Sequence, residues 1–224
     1  MKESQAARRD RAGKINDILK ELFPEADCPL DHADPVQLLI ATILSAQCTD
    51  ARVNMVTPSL FARYPDARAF AGARQADLES MIHSTGFFRN KARNIIACCK
   101  GLVEHHGGHV PDTIEKLTAL PGIGRKTANV VLGHAHGVAG IVVDTHVKRL
   151  SRRLALTVQN DPNKIERDLM ELVPQQDWSS FSMRLIYHGR KTCMARKPLC
   201  EECRLAPLCP KIGVQKTTKK SAPR

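Results

Sequence analysis

The chain has 224 residues, room for one large or two small domains, and carries 34 Lys plus Arg against 23 Asp plus Glu, a formal net charge of +11. That excess favours a polyanionic partner, nucleic acid before membrane. No run of about 18 apolar residues occurs, and Met1-Lys2-Glu3-Ser4 opens no apolar leader, so neither a spanning helix nor a secretory signal is expected; in the cytoplasm that this implies, eight cysteines read as thiols or metal ligands rather than disulfides.

Residues 1–12 are polar, with Arg8, Arg9 and Arg11, and read in part as a frayed arm. Ile15, Ile18, Leu19 and Leu22 recur at helical spacing, predicting a helix to about Phe23. Asp34-Pro35 is a helix start, with Asp as N-cap and Pro in the first turn. Val36, Leu38, Leu39, Ile40, Ile43 and Leu44 then cover most of the circumference, the pattern of a helix buried at the centre of a bundle. The run Ser45-Ala46-Gln47-Cys48-Thr49-Asp50 is a polar connector ending in an N-cap, with Cys48 as a small packing residue. Val53, Val56, Leu60 and Phe61 mark a third helix, and Leu78, Met81 and Ile82 a short fourth. Gly86-Phe87-Phe88-Arg89-Asn90 is a turn, with Asn90 placed to cap the next helix. That helix carries the stripe Ile95, Ile96, Cys99, Leu102 and Val103 and ends at Gly107-Gly108. Cys98 and Cys99 read as small core residues. Asp112-Thr113-Ile114-Glu115 reads as a capping box with Asp112 as the cap.

From Leu120 to His146 the pattern becomes chemical. Pro121 cannot continue the preceding helix, and Gly122 and Gly124 suit a tight hairpin before a new helix that starts near Arg125. Bare N–H groups and a helix dipole aimed at one gap make an anion site, for which a phosphate backbone is the natural occupant. Lys126 falls in the first turn of the new helix, where a cation is disfavoured. Asp144 lies 18 positions later. A helix from Arg125 to Leu132 rises roughly 12 Å, and an extended Val138–Val143 returns that distance at about 3.3 Å per residue. An amine and a carboxylate near a phosphate-binding hairpin suit chemistry on a nucleotide. After Asp144, Val147, Leu150 and Leu154 are expected inward, and Lys148, Arg149, Arg152 and Arg153 outward as a basic face. Asp161-Pro162 starts another helix, and a last one through Trp178, Phe181, Leu185 and Ile186 is expected to end at Gly189. No segment alternates with period 2, so the class is all-α.

Near the end, Cys193, Cys200, Cys203 and Cys209 follow C-x6-C-x2-C-x5-C. Four thiolates within 17 residues can close on one small centre, and all-thiolate ligation suits zinc or an iron–sulfur cluster. Arg196 and Lys197, between the first two, are placed to meet phosphates. Lys216-Thr217-Thr218-Lys219-Lys220-Ser221 reads as a basic disordered tail.

Leu-Pro-Gly-Ile-Gly-Arg-Lys-Thr-Ala at Leu120–Ala128, with Val-Asp-Thr-His at Val143–His146 and this cysteine spacing, resembles the helix-hairpin-helix DNA glycosylases, most of all their endonuclease III branch, from about Asp34 to Pro210. The resemblance implies a two-domain fold: an N-terminal helix (1–27) joining the cluster domain, a six-helix barrel domain (28–138) with the helix-hairpin-helix at 112–133, a cluster domain (139–212) and the tail (213–224). It implies a [4Fe-4S] cluster on the four cysteines, with Lys126 as nucleophile and Asp144 as the assisting carboxylate. DNA contacts are expected at Gln47, which would enter the duplex, at Phe87 or Phe88 as a wedge, at Leu120, Gly122, Gly124 and Arg125 of the hairpin, and at His146, Arg196 and Lys197. The implied enzyme is a bifunctional glycosylase and AP lyase acting on oxidised pyrimidines in damaged double-stranded DNA. It would be a cytoplasmic monomer without membrane contact, nucleoid-associated in a bacterium. An adenine-mismatch glycosylase, which lacks the lysine, and a noncatalytic DNA-binding module with a structural metal are the competing expectations.

Overall fold

The computed structural model describes residues 3–26, 28–137 and 140–214. Among these the expected all-α class holds, with helices, 3-10 turns and loops and no strand. The helices are α1 (Gln5–Leu22), α2 (Pro35–Leu44), α3 (Asp50–Arg63), α4 (Ala67–Ala71), α5 (Gln75–Ile82), α6 (Phe88–His106), α7 (Ile114–Thr118), α8 (Arg125–Ala135), α9 (Thr145–Arg153), α10 (Pro162–Leu172) and α11 (Trp178–Lys191). Two compact units divide them. A central unit takes the chain between Ala26 and Ile141, and a terminal unit joins the segment up to Ala26 to the one from Ile141 on.

In the central unit α2 is the core helix and packs on α3, α6 and α8. Asp34 caps it by accepting from the Gln37 N–H at 2.9 Å, with Pro35 in the first turn. Leu38, Leu39, Ile40 and Leu44 are buried with Leu60, Phe70, Leu78, Ile82 and Ile95. Each such side chain contributes about 1.5–3 kcal/mol relative to exposure. Cys98 and Cys99 lie in this core, as expected.

Three boundaries differ from the sequence reading. Asn90 is not the cap of α6: the helix begins at Phe88, Phe87 holds the cap position, and Asn90 Oδ1 instead accepts from Arg93. Thr113, not Asp112, caps α7, accepting from the Lys116 N–H, because Asp112 stands one residue too early and pairs with the Lys116 side chain. Helix α4, capped by Asp66, had no sequence signal beyond that cap, since five residues are too short for a periodicity.

The terminal unit packs α1, α9, α10 and α11 around Ile15, Leu19, Val147, Leu150, Ile165, Leu169, Phe181 and Leu185. The stretch read in part as a frayed arm is helical from Gln5. Arg11 holds it, donating to the carbonyls of Leu154 and Leu208 while pairing with Glu3. Gly189 does not end α11. It lies within the helix, where a Cβ would stand 2.8 Å from Nδ1 of His146 and 3.1 Å from Nη2 of Arg149. The basic run Lys216–Ser221 lies outside the described residues.

Candidate active site and thiol centre

The hairpin belongs to the central unit. After α7 the Leu120 N–H returns to the Leu117 carbonyl at 3.1 Å, and the Ile123 N–H to the Leu120 carbonyl at 3.2 Å. Buried Leu120 and Ile123 anchor the turn, so the Leu120 side chain is core and only its backbone is left for a DNA contact. Gly122 has φ +78°, and a Cβ there would come within 2.8 Å of Asn94 on α6, so the turn requires glycine on both counts. Helix α8 starts at Gly124 without a side-chain cap and with no acid in its first turn. Helices α2, α3, α4, α7, α9 and α10 are all capped by an Asp or Thr side chain. The first N–H groups of α8 are thus left for an external acceptor. Lys126 is exposed beside them, and no hydrogen bond or ion pair to the described residues holds it.

Asp144 belongs to the terminal unit. The Val142 N–H donates to the buried Ser182 Oγ at 3.0 Å, which fixes the chain just ahead of it. Asp144 caps α9, and its Oδ1 accepts both the His146 and Val147 N–H groups at 2.8 Å. Capping falls entirely on Oδ1, so Oδ2 is left to other work. His146 is half-buried in contact with Arg149, and burial pushes its imidazole below the usual value against the pull of the Asp144 carboxylate.

Two further residues share an unusual backbone. Gln47 (φ 53°) and Phe87 (φ 49°) both occupy the left-handed region and both are exposed, Phe87 by 61%. For residues with a Cβ this conformation costs about 1–2 kcal/mol, and such strain gathers at functional positions. Phe88 differs: it packs on the central core with its ring 4.5 Å from that of His83. The two aromatic candidates therefore part, Phe87 to the surface and Phe88 to the core.

Cys193, Cys200, Cys203 and Cys209 line one cavity with Leu150, Arg153, His188 and Leu205. No group of three or more His, Cys, Asp or Glu among the described residues is gathered tightly enough for a single metal ion. Burial raises the Cys203 and Cys209 thiols and pushes His188, which lies 3.4 Å from the Cys203 sulfur, down to about 4. Arg149 and Arg153, expected outward, turn in instead. Arg153 is 8% exposed and donates to the carbonyls of Met194 and Ala195, while Arg149 donates to those of Gly189 and Cys193. Their reason is the Cys193–Ala195 bend, whose carbonyls have no helical N–H groups to donate to them. Arg196 and Lys197 are exposed on the same loop.

Sequence reasoning missed these two arginines and one more inward cation, the buried Lys91. Its signal was present: a lysine one turn into α6, on the side of Ala92 and Ile95.

Residues 40–175 match the family model described as HhH-GPD superfamily base excision DNA repair protein. The chain is 62% identical over 206 residues to the endonuclease III of Synechocystis sp., covering 92% of this chain and 94% of that protein. It is 46% identical over 194 residues to the endonuclease III of Bacillus subtilis, covering 86% and 89%. Among solved structures it resembles a trapped endonuclease III–DNA covalent intermediate in an estranged-adenine complex, with TM-score 0.86, 43% identity, and 91% of this chain and 96% of that one covered.

Proposed function

Since the chain belongs to the HhH-GPD superfamily of base excision DNA repair proteins, and within it to the endonuclease III family, it is a DNA glycosylase and AP lyase, and we propose that Lys126 and Asp144 carry its chemistry on oxidised pyrimidines in duplex DNA. The observation that carries this reading is the uncapped start of α8 with the exposed Lys126 amine beside it. The hairpin amides hold a backbone phosphate, and flipping the damaged nucleotide out of the stack costs a few kcal/mol, least for a poorly stacked base.

Lys126 attacks C1′, and the glycosidic electron pair leaves with the base, which takes up a proton. Opening of the sugar ring leaves an imine between Lys126 and C1′. Loss of a C2′ proton then expels the 3′ phosphate, cutting the strand by β-elimination. The Asp144 carboxylate stabilises the positive charge that develops at the sugar. Gln47 and Phe87 fill the space left in the duplex, Phe87 taking the wedge position because its ring alone of the pair is exposed. The relative trapped as a covalent DNA intermediate fits an enzyme that bonds to its substrate.

The four cysteines would hold a [4Fe-4S] cluster. They line one cavity, and the all-sulfur donor set suits such a cluster. When bound, the cluster supplies folding energy to the loop that presents Arg196 and Lys197. No helix among the described residues is long and apolar enough to cross a membrane, and a monomer acting on DNA in the cytoplasm completes the proposal.

Borohydride trapping on duplex DNA containing thymine glycol tests it. Wild type should form a covalent adduct. Lys126→Ala should form none and still bind, because the hairpin amides remain. An adduct formed by the variant at the normal rate would move the nucleophile to another amine.

A further inference from the structure

Lys91 is 4% exposed, and among the described residues its ammonium is held by two backbone carbonyls rather than by a carboxylate. Its Nζ donates to the Leu44 carbonyl at 2.7 Å and to the Thr85 carbonyl at 2.8 Å. Leu44 is the last residue of α2, and Thr85 the last of the 3-10 turn His83–Thr85. Each is the negative end of a helical segment, which is why an ammonium is tolerated there. Burial lowers its pKa, and the nearby Cys48 opposes that shift. A lone buried cation is an expensive way to hold two carbonyls. The expense makes sense from the residues next in the chain. Gln47 comes three residues after Leu44, and Phe87 two residues after Thr85. The backbone N–H of Lys91 also donates to the Phe87 carbonyl at 3.0 Å. One residue therefore grips the roots of both left-handed positions, and its two anchored carbonyls lie 41 positions apart in the chain (85 − 44).

We propose that Lys91 is a positioning residue whose buried ammonium ties the end of α2 to the end of the 3-10 turn and so sets Gln47 and Phe87 in mutual register, letting the two side chains enter the duplex as a pair. The proposal rests on the reading that Gln47 and Phe87 fill the gap. Without the clamp each loop keeps its sequence but loses its fixed distance from the other. Insertion then fails while phosphate binding at the hairpin persists. Displacements near 1 Å at a reacting centre cost up to about 10²-fold in rate.

The test uses the whole protein and a duplex holding a tetrahydrofuran abasic analogue opposite 2-aminopurine, whose fluorescence rises when the orphaned base is unstacked. Excision of thymine glycol from duplex DNA is measured in parallel. Lys91→Met should lose most of the fluorescence rise and about 10–10²-fold in excision while keeping duplex affinity. Lys91→Arg should restore part of both. Placed on the Gln47→Ala Phe87→Ala background, Lys91→Met should cost little more, because it acts through residues already gone. Should the methionine variant fail to fold, Lys91→Gln, which keeps a polar group but loses the ammonium and its reach, should show the same two losses, and a full fluorescence rise in it would equally overturn the clamp. A full fluorescence rise in Lys91→Met, or an excision loss that simply adds to that of the double variant, would overturn the clamp. If Gln47→Ala and Phe87→Ala themselves change nothing, the gap-filling reading falls and takes the clamp with it. If they matter and Lys91→Met does not, the clamp alone falls.

Discussion

Nη1 of Arg153 lies 3.3 Å from Sγ of Cys193, and the same guanidinium donates to the Met194 carbonyl at 2.7 Å and the Ala195 carbonyl at 2.8 Å. A helix of the terminal unit thereby holds the first cysteine of the thiol centre and the turn behind it. Arg153→Met keeps the apolar stem and removes every donor. It should cost about 1 kcal/mol, since part-buried carbonyls lose their partners. The purified variant should also hold less iron and absorb less near 400 nm than wild type. Equal iron content, with only thermal stability changed, would restrict Arg153 to bracing the fold.

Asp144→Asn separates capping from charge. The amide oxygen can still accept from His146 and Val147, so the melting temperature should barely move. The carboxylate charge is lost, and one lost electrostatic contact typically costs about 10²–10³ in rate. Single-turnover base release should therefore slow by that factor at unchanged DNA affinity. An Asn variant of normal speed would leave Asp144 only the cap.

Arg196 and Lys197 are exposed on the loop held by Arg149 and Arg153. If both meet phosphates, replacing them with Ala should flatten the slope of log K against log[salt] by up to about two units, at about 0.9 per contact. Binding titrations at several salt concentrations read this directly. An unchanged slope would return both side chains to solvent.

Cys98 and Cys99 make the opposite case. Burial pushes the Cys98 thiol up to about 12 and Cys99 further still. Both stay protonated, and so unreactive, at any pH the fold tolerates. Iodoacetamide followed by mass spectrometry should leave these two unmodified in native protein and label them only on unfolding. After iron is stripped, Cys193, Cys200, Cys203 and Cys209 should label first.

The local signals were legible because they are local. Asp34-Pro35 and Asp161-Pro162 capped their helices as read, and Leu120–Ala128 formed its hairpin, since each depends on residues within a few positions. Arg149 and Arg153 were misread because a helical wheel separates charged from apolar residues but knows nothing of a carbonyl-rich turn some 40 positions away. Lys91 showed its burial by sharing a helix face with Ile95, but not its partners: these lie 47 and 6 positions distant, and only the folded chain shows that both are helix ends. Phe87 and Phe88 could not be told apart, because one backbone angle at Phe87 decides which ring faces out.

The terminal unit is also a schedule. Lys20 on α1 meets Asp177 at 2.8 Å across 157 positions of chain. At a synthesis rate of about 5–20 residues per second, α1 waits roughly 8–30 s for its partner to emerge from the ribosome. The whole central unit is made in that interval and has every residue it needs to fold. A nascent α1 therefore spends its first seconds with Ile15 and Leu19 uncovered. The cluster proposed for the four cysteines would have to wait longer still, until synthesis has passed Cys209.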